Sequence, residues 1–272
     1  MRIDPVDVTV VDDPRVVEYL SLTDMDLRQR VEPERGVFMA EGHLIIERCA
    51  TLGMRFHSVL TSRRWLERLE SALAATDVDV LVADEGLLQD ITGYRVHRGA
   101  LAVVTRPDTI DVAEVLRSES DVLVLEDLVD PTNVGLAIRS AVVQGINDVI
   151  LSPGCADPLY RRAVKSSMGA VLRCRFARSE AWPATLAALA QRRLVVALTP
   201  DATDTIEVAL ADASSAPVAL MVGSEGPGLS AVALASSWRQ ARIPMSTADD
   251  SLNVAAATAV ACYARAQSRR NP

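Results

Sequence analysis

Three short segments in the second half of the chain gather the polar and glycine residues whose types and spacing could do chemistry. The first runs Asp130-Pro131-Thr132-Asn133-Val134-Gly135-Leu136-Ala137-Ile138-Arg139. Asn133 stands near a predicted helix start, where an Asn side chain caps exposed backbone N–H groups; the alternative is a polar group facing a ligand. Arg139 lies inside an otherwise apolar helical run. Such an arginine snorkels or pairs with an acid, or its planar fork clamps a phosphate. The second segment is Gly223-Ser224-Glu225-Gly226-Pro227-Gly228. Its glycines permit positive φ and a close backbone approach to a ligand. The spacing is neither G-x-G-x-x-G nor a P-loop, because no Lys-Ser/Thr follows. Glu225 could order the loop, accept from a ribose hydroxyl or pair with Arg139, and a plain surface turn is the bland alternative. The third segment is Ile243-Pro244-Met245-Ser246 followed by Asp249-Asp250-Ser251-Leu252-Asn253-Val254. Ser251 and Asn253 are each candidate caps for the helix that follows. That helix opens with a small, apolar run over 254–261, which predicts burial in the core or against a partner subunit.

The surrounding pattern supplies strands and helices to carry these segments. Residues 1 to about 30 read as an N-terminal helical arm, with Val16, Val17 and Leu20 at helical spacing. Strands are predicted at 36–42, ending at a glycine turn, and at 59–61, 78–82 and 100–105, with helices at 43–53 and 63–75 and a short one opening at Leu87. Arg106-Pro107-Asp108 breaks this small α/β domain, assigned to residues 1–106, and 107–119 reads as a linker. From residue 120 to 272 the alternation is cleaner. Val122-Leu123-Val124-Leu125 is a continuous apolar run, as in a parallel sheet covered on both faces. Helix 134–144 and strands at 148–151, 194–198, 218–222 and 242–244 follow, then a last helix over 254–267. Ligands on such sheets sit at the carboxyl ends of the strands.

Taken together and in order, the three segments resemble the signature motifs of the SpoU (TrmH) family of RNA ribose 2′-O-methyltransferases, within the SPOUT superfamily. The first motif is matched by Asn133, Gly135 and Arg139, and the second by Gly223, Glu225, Gly226 and Gly228. The third is matched by Ile243-Pro244-Met245 and Ser251-Leu252-Asn253-Val254. The segment Val164-Lys165-Ser166-Ser167-Met168-Gly169-Ala170 also fits the family's middle region. The first half, through Glu41-Gly42-His43-Leu44-Ile45-Ile46 and Gly99-Ala100-Leu101-Ala102-Val103, resembles the L30e-like substrate-binding domain of many members. The resemblance implies an α/β fold: a C-terminal parallel-sheet trefoil-knot (SPOUT) domain preceded by a small α/β L30e-like domain. It implies S-adenosylmethionine as cofactor, bordered by Gly223, Ile243 and Leu252, with Met245 and Thr199 as further candidates. It implies Arg139 as the key catalytic residue, with Asn133, Glu225, Ser251 and Asn253 around it, and a homodimer with the active site at the interface. The RNA is expected to be ribosomal, with transfer RNA as the alternative. Two further alternatives are a non-catalytic RNA- and cofactor-binding protein of the same fold and a SPOUT enzyme acting on a base nitrogen. A Rossmann methyltransferase is disfavoured, because no E/D-x-G-x-G-x-G loop follows the first strand of either domain.

The chain has 272 residues, 49% hydrophobic and 24% charged, which excludes a disordered chain. Its net charge of −8 argues mildly against nucleic acid. The distribution matters more, because Arg161, Arg162, Lys165, Arg173, Arg175 and Arg178 form a stretch with no acid between them. Arg161, Arg162, Lys165 and Arg173 are therefore predicted to contact RNA phosphates, a solvated helix face being the alternative. Cys49, Cys155, Cys174 and Cys262 are scattered, and so are His43, His57 and His97; neither a disulfide scaffold nor a metal site is expected. The opening Met1-Arg2-Ile3-Asp4-Pro5 lacks the blocks of a signal peptide, and the uncharged run 251–264 is too short to span a bilayer. A cytoplasmic protein without a membrane partner is expected.

Overall fold

The computed structural model describes residues 4–96, 99–213, 215–246 and 251–270. The chain divides into two compact units, the first Met1–Asp108 with Leu159–Gly169 and the second Thr109–Pro158 with Ala170–Pro272. Along the first unit come β1 (Val6–Asp7), α1 (Met25–Glu34), β2 (Val37–Glu41), α2 (His43–Thr51), β3 (Phe56–Thr61), α3 (Arg63–Leu73), β4 (Asp79–Val82), α4 (Glu85–Thr92) and β5 (Ala100–Thr105). The chain continues through α5 (Val112–Arg117), β6 (Val122–Glu126), α6 (Pro131–Val143) and β7 (Asp148–Leu151). It returns to the first unit for α7 (Arg161–Ser166). The rest of the second unit is β8 (Arg175–Arg178), α8 (Trp182–Ala190), β9 (Leu194–Leu198), β10 (Asp204–Thr205), α9 (Ile206–Ala211), β11 (Val218–Gly223), α10 (Ala231–Ala235), β12 (Arg239–Arg242) and α11 (Val254–Arg270).

Among the described residues the first unit holds a five-stranded mixed sheet ordered β1-β4-β3-β5-β2. β5 runs antiparallel to both its neighbours, and β1, β3 and β4 are mutually parallel. The expected N-terminal helical arm is corrected here. Val6–Asp7 pairs with β4 as an edge strand, and Pro14–Tyr19 is a 3₁₀ turn opened by Asp13. Asp24 then caps a separate helix by accepting from the Leu27 N–H. Val16, Tyr19 and Leu22 pack into the core, so their spacing reflects burial under a sheet rather than one continuous helix.

The second unit is a parallel α/β layer structure, as the alternation predicts. Among the described residues its sheet is ordered β10-β12-β9-β11-β6-β7-β8, with every pairing parallel. β6 and β11 lie at its centre, and their runs Val122–Leu125 and Val218–Val222 are buried, as strands covered on both faces must be. The segment expected as a linker, 107–119, contains α5, whose Val115 is wholly buried in this unit's core. β8 was not expected. Its Arg-Phe-Ala-Arg sequence reads as part of a basic stretch, yet Arg175 forms a bidentate pair with Asp148 at 2.8 Å and turns the segment into an edge strand. β12 ends at Arg242, so Ile243 and Pro244 lie beyond the strand to which the pattern assigned them.

The longest helix of the second unit is fixed by a buried ion pair. Arg265 of α11 donates to both carboxylate oxygens of Asp121, at 2.8 and 3.0 Å, and to the carbonyls of Ala213 and Ala216. Asp121, just before β6, also accepts the N–H of Val218 at the start of β11. Arg265 is 1% exposed. Every oxygen and guanidinium nitrogen of the pair is therefore engaged where water cannot replace a lost partner. The 254–261 segment is buried in the core on one face only. Val254, Ala255, Thr258 and Ala261 face the core, whereas Ala256, Ala259 and Val260 are exposed. Arg265→Ala should lower unfolding stability by about 3 kcal/mol, because it leaves the buried Asp121 carboxylate with only the Val218 N–H and the half-exposed Arg269 at 3.2 Å. Chemical denaturation measures this, and a loss below about 1 kcal/mol, the surface-pair range, would contradict the assignment.

Candidate functional site

The carboxyl ends of β9, β11 and β12 open onto a cavity of about 300 Å³. Its walls are the segments that follow those strands: Thr199 after β9, the loop from Gly223 after β11, and Ile243 and Met245 after β12. Leu252 closes it from the approach to α11. Gly223, Ile243, Leu252, Met245 and Thr199, the five residues expected around a cofactor, thus line one cavity. Met245 and Leu252 expose apolar surface there, at 38% and 41%. Arg242 and Asp201 also line it. Sequence reasoning did not single them out, because neither sits in a motif.

The wall at β11 depends on glycine. A Cβ on Gly223 would lie 2.3 Å from the carbonyl carbon of Gly228 and 2.5 Å from the Leu229 nitrogen. The loop folds back on itself through the Gly228 N–H to the Ser224 carbonyl, at 3.0 Å. Gly226 and Gly228 have φ of 95° and 68°, which side chains rarely adopt. The loop's far end is tied down by Glu126, a buried carboxylate at the end of β6. Glu126 accepts the Ser230 N–H at 2.7 Å and the Ser230 hydroxyl at 2.8 Å, and also takes the Trp182 indole N–H. Sequence reasoning missed Glu126. The available signal was an acid ending a continuous apolar strand.

The rim of the cavity brings the three motifs together. Asn133 Nδ2 donates to Glu225 Oε1 at 3.1 Å, and Asn253 Nδ2 donates to the same oxygen at 2.5 Å and to Asn133 Oδ1 at 3.2 Å. The capping alternative does not hold for Asn133. Asp130 caps α6 by accepting from the Thr132 N–H, which leaves Asn133 inside the helix and its amide free for Glu225. For Asn253 both readings hold: Oδ1 accepts from the Ala255 N–H while Nδ2 serves the cluster. Glu225 does not pair with Arg139. Arg139 is exposed on α6 and makes no hydrogen bond or ion pair with any described residue. Ser251 is exposed and lines the cavity. Asp249, Asp250 and His97 lie outside the described residues, as do residues 1–3.

The predicted RNA contacts separate into two kinds. Arg162 and Arg173 are exposed, Arg162 in the first unit and Arg173 in the second. Arg161 is 11% exposed and committed within the first unit: its guanidinium binds Glu41, the Tyr94 hydroxyl and the Leu22 carbonyl, and lies over the Tyr94 ring. Lys165 also binds Glu41 while keeping nearly half its side chain in solvent. Burial disfavours the charge of Glu41, but Lys165 and Arg161 outweigh it and hold the carboxyl below its usual range. All four cysteines are free. Burial pushes Cys49, Cys174 and Cys262 up to about 12, so these are thiols rather than nucleophiles. Among the described residues no cluster of His, Cys, Asp and Glu could hold a metal ion, and no helix is long and apolar enough to cross a membrane.

A parallel sheet with a glycine-walled cavity at its carboxyl edge defines an α/β protein whose strand-end loops converge on one pocket. Residues 120–263 match the SpoU rRNA methylase family. The chain is 36% identical over 98% of its length to a tRNA/rRNA methyltransferase of Mycobacterium bovis that is itself uncharacterized, and covers 93% of that relative. Among solved structures it resembles an AdoMet-bound rRNA methyltransferase from Sinorhizobium meliloti, with TM-score 0.80, 26% identity and 98% of both chains covered. It also resembles an RNA 2′-O ribose methyltransferase, with TM-score 0.79, 27% identity, and 98% and 100% covered. The chain belongs to the SpoU rRNA methylase family.

Because the pKa of Glu41 is lowered by folding, its contribution to stability is full above its ordinary pKa and is lost as pH falls through the lowered value. The stability gap between wild type and Glu41→Gln should therefore shrink on acidification from about pH 6 to about pH 3. Thermal unfolding across that range measures it, and a gap that stays constant or widens contradicts the ion cluster.

Proposed function

We propose that the protein methylates a ribose 2′-hydroxyl of RNA, with S-adenosylmethionine as cofactor and ribosomal RNA as substrate. The observation that carries this reading is the convergence of Thr199, Gly223, Ile243, Met245 and Leu252 on one cavity, rimmed by Asn133, Glu225 and Asn253. The residues present fit the cofactor. Backbone from three loops offers directional hydrogen bonds to an adenine edge, the apolar Ile243 and Leu252 side chains suit its faces, and the nearby carboxylates favour a cation. When bound, S-adenosylmethionine supplies a methyl group already activated by its sulfonium. The work left to the chain is to orient the ribose and stabilise charge on its 2′-oxygen.

Arg139 is the group for that task. Its exposed guanidinium is uncommitted in the second unit, so its fork is available to a phosphate next to the target ribose and to the oxygen as its proton leaves. A guanidinium is a poor general base, so Arg139 acts by charge and geometry. The Asn133–Glu225–Asn253 cluster fixes the cavity rim against which the ribose is held. In this reading the trefoil knot joins the three loops, and the L30e-like first unit binds a folded RNA. The site is completed in a homodimer: Ala256, Ala259, Val260 and Tyr263 form an exposed stripe at helical spacing on α11, suited to a second copy.

The test is transfer of a labelled methyl group to RNA lacking the modification, followed by alkaline hydrolysis. A 2′-O-methyl blocks cleavage, so label should appear in alkali-resistant dinucleotides from ribosomal RNA. Label only in mononucleotides would mean base methylation, and label in transfer RNA would replace the substrate. Arg139→Ala should slow the single-turnover rate about 100-fold or more with cofactor affinity unchanged. Arg139→Lys should recover little, because a point charge lacks the fork; near-full activity of that variant would remove Arg139 from this role.

A further inference from the structure

Arg178 ends β8 and is exposed at the carboxyl edge of the second unit's sheet. Its Nη1 donates to the carbonyls of Ser152 and Pro153, both at 3.1 Å, and of Cys155 at 2.7 Å. Its Nη2 donates to the Ala156 carbonyl at 3.3 Å. These carbonyls belong to the loop after β7, and that loop is tied to the connection from β6 to α6. The Ala156 N–H donates to the Leu128 carbonyl at 2.8 Å, and the Ser152 hydroxyl donates to the Asp127 carboxylate at 2.6 Å. The guanidinium is thus fixed in place on the edge that carries Asn133 and Arg139. β8 lies two strands from β6, roughly 10 Å at ordinary strand spacing.

Carbonyls hold a guanidinium without neutralising it. The Nε–H and one Nη2–H of Arg178 meet no acceptor among the described residues. Nε and Nη2 share one edge of the guanidinium, and two other arginines of the same unit show what that edge takes. Arg175 uses Nε and Nη2 to hold both oxygens of Asp148, each at 2.8 Å. Arg265 holds both oxygens of Asp121 in the same way, at 2.8 and 3.0 Å. No described acid forms an ion pair with Arg178, neither Asp157, which follows the clamped loop, nor Glu180, two residues on. Arg161 and Lys165 have their charge balanced by Glu41, whereas Arg178 keeps its charge and an open two-donor edge. Such an edge matches an oxyanion with two free oxygens, as in a phosphodiester.

We propose that the Nε–Nη2 edge of Arg178 binds a backbone phosphate of the RNA substrate, a few nucleotides from the ribose held at the Asn133–Glu225 rim. The proposal rests on the reading of the protein as an RNA-modifying enzyme and adds an anchor that fixes the path of the strand across the sheet edge. The contact positions the RNA and reads no sequence.

The experiment titrates the full chain with a fluorescein-labelled RNA hairpin over a series of KCl concentrations. Arg178→Gln should weaken binding several-fold at low salt and flatten the slope of log K against log[KCl] by about 0.7–0.9, the share of one phosphate. Arg178→Lys, which keeps a charge without the two-donor edge, should retain the slope and lose part of the affinity. Arg192→Gln removes an exposed arginine just before β9, at the opposite edge of the sheet, and should leave the slope unchanged. S-adenosylhomocysteine should bind Arg178→Gln as it binds wild type. An unchanged slope in Arg178→Gln, or an equal change in Arg192→Gln, would overturn the proposal. Weaker S-adenosylhomocysteine binding with an unchanged slope would make Arg178 a support of its loop alone. Thermal unfolding in potassium phosphate and in KCl of equal ionic strength separates the two sources of phosphate. Stabilisation by phosphate that needs Arg178, with no change of RNA slope, would assign the edge to a free anion and overturn the RNA contact. Methyl transfer is measured in parallel. An active enzyme whose slope ignores Arg178 loses this proposal alone. An inactive protein whose RNA slope depends on Arg178 loses the catalytic reading and keeps this one.

Discussion

The cavity at the carboxyl edge of the second sheet exists because β11 ends in a residue with no side chain. The loop after it doubles back until the Gly228 backbone lies where a Cβ of Gly223 would be. That approach lets backbone, rather than side chains, form the wall. Backbone groups fixed in this way present hydrogen bonds at set positions, whereas side chains would first have to be ordered. Glu126 keeps the far end of the loop from relaxing by holding Ser230 through both its N–H and its hydroxyl.

The other walls come from distant parts of the chain, and the fold holds them to the same edge. The Asp121–Arg265 pair joins the starts of β6 and β11 to α11, and α11 carries Asn253 just before its first turn. Asn253 then meets Glu225 and Asn133, so one carboxylate oxygen gathers amides from two separate helix starts. Arg139, on the same helix as Asn133, is exposed and makes no hydrogen bond or ion pair with any described residue. Arg173 and, in the cavity lining, Arg242 likewise make none, whereas Arg175, Arg178, Arg193 and Arg265 have structural partners. What distinguishes Arg139 is its place on the helix that carries Asn133 to the cavity rim.

Much of this site was legible in the sequence, for physical reasons that differ from residue to residue. Gly223, Gly226 and Gly228 mark a conformation that other residues resist. Ile243 and Leu252 stand out as apolar groups beside turn residues. The continuous run Val122–Leu125 could only be a strand covered on both sides. What could not be read depended on partners far along the chain. Asn133 looked like a cap until Asp130 took that role. Arg161 looked like a phosphate contact because the acid that engages it, Glu41, lies 120 residues away. Arg175 hid an edge strand for the same reason, since Asp148 neutralises it from the neighbouring strand. The N-terminal arm was misread because periodic burial beneath a sheet resembles the periodicity of a helix.

The central claim is that the backbone wall at Gly223 forms the cofactor site. Calorimetric titration of S-adenosylhomocysteine into wild type and Gly223→Ala tests it most directly, with thermal unfolding as the check that both are folded. The wild-type protein should bind the ligand at the cavity, and Gly223→Ala, still folded, should bind at least about tenfold more weakly, because the added methyl must displace the 224–228 loop. Equal affinity for the two proteins would contradict the claim and place the cofactor elsewhere.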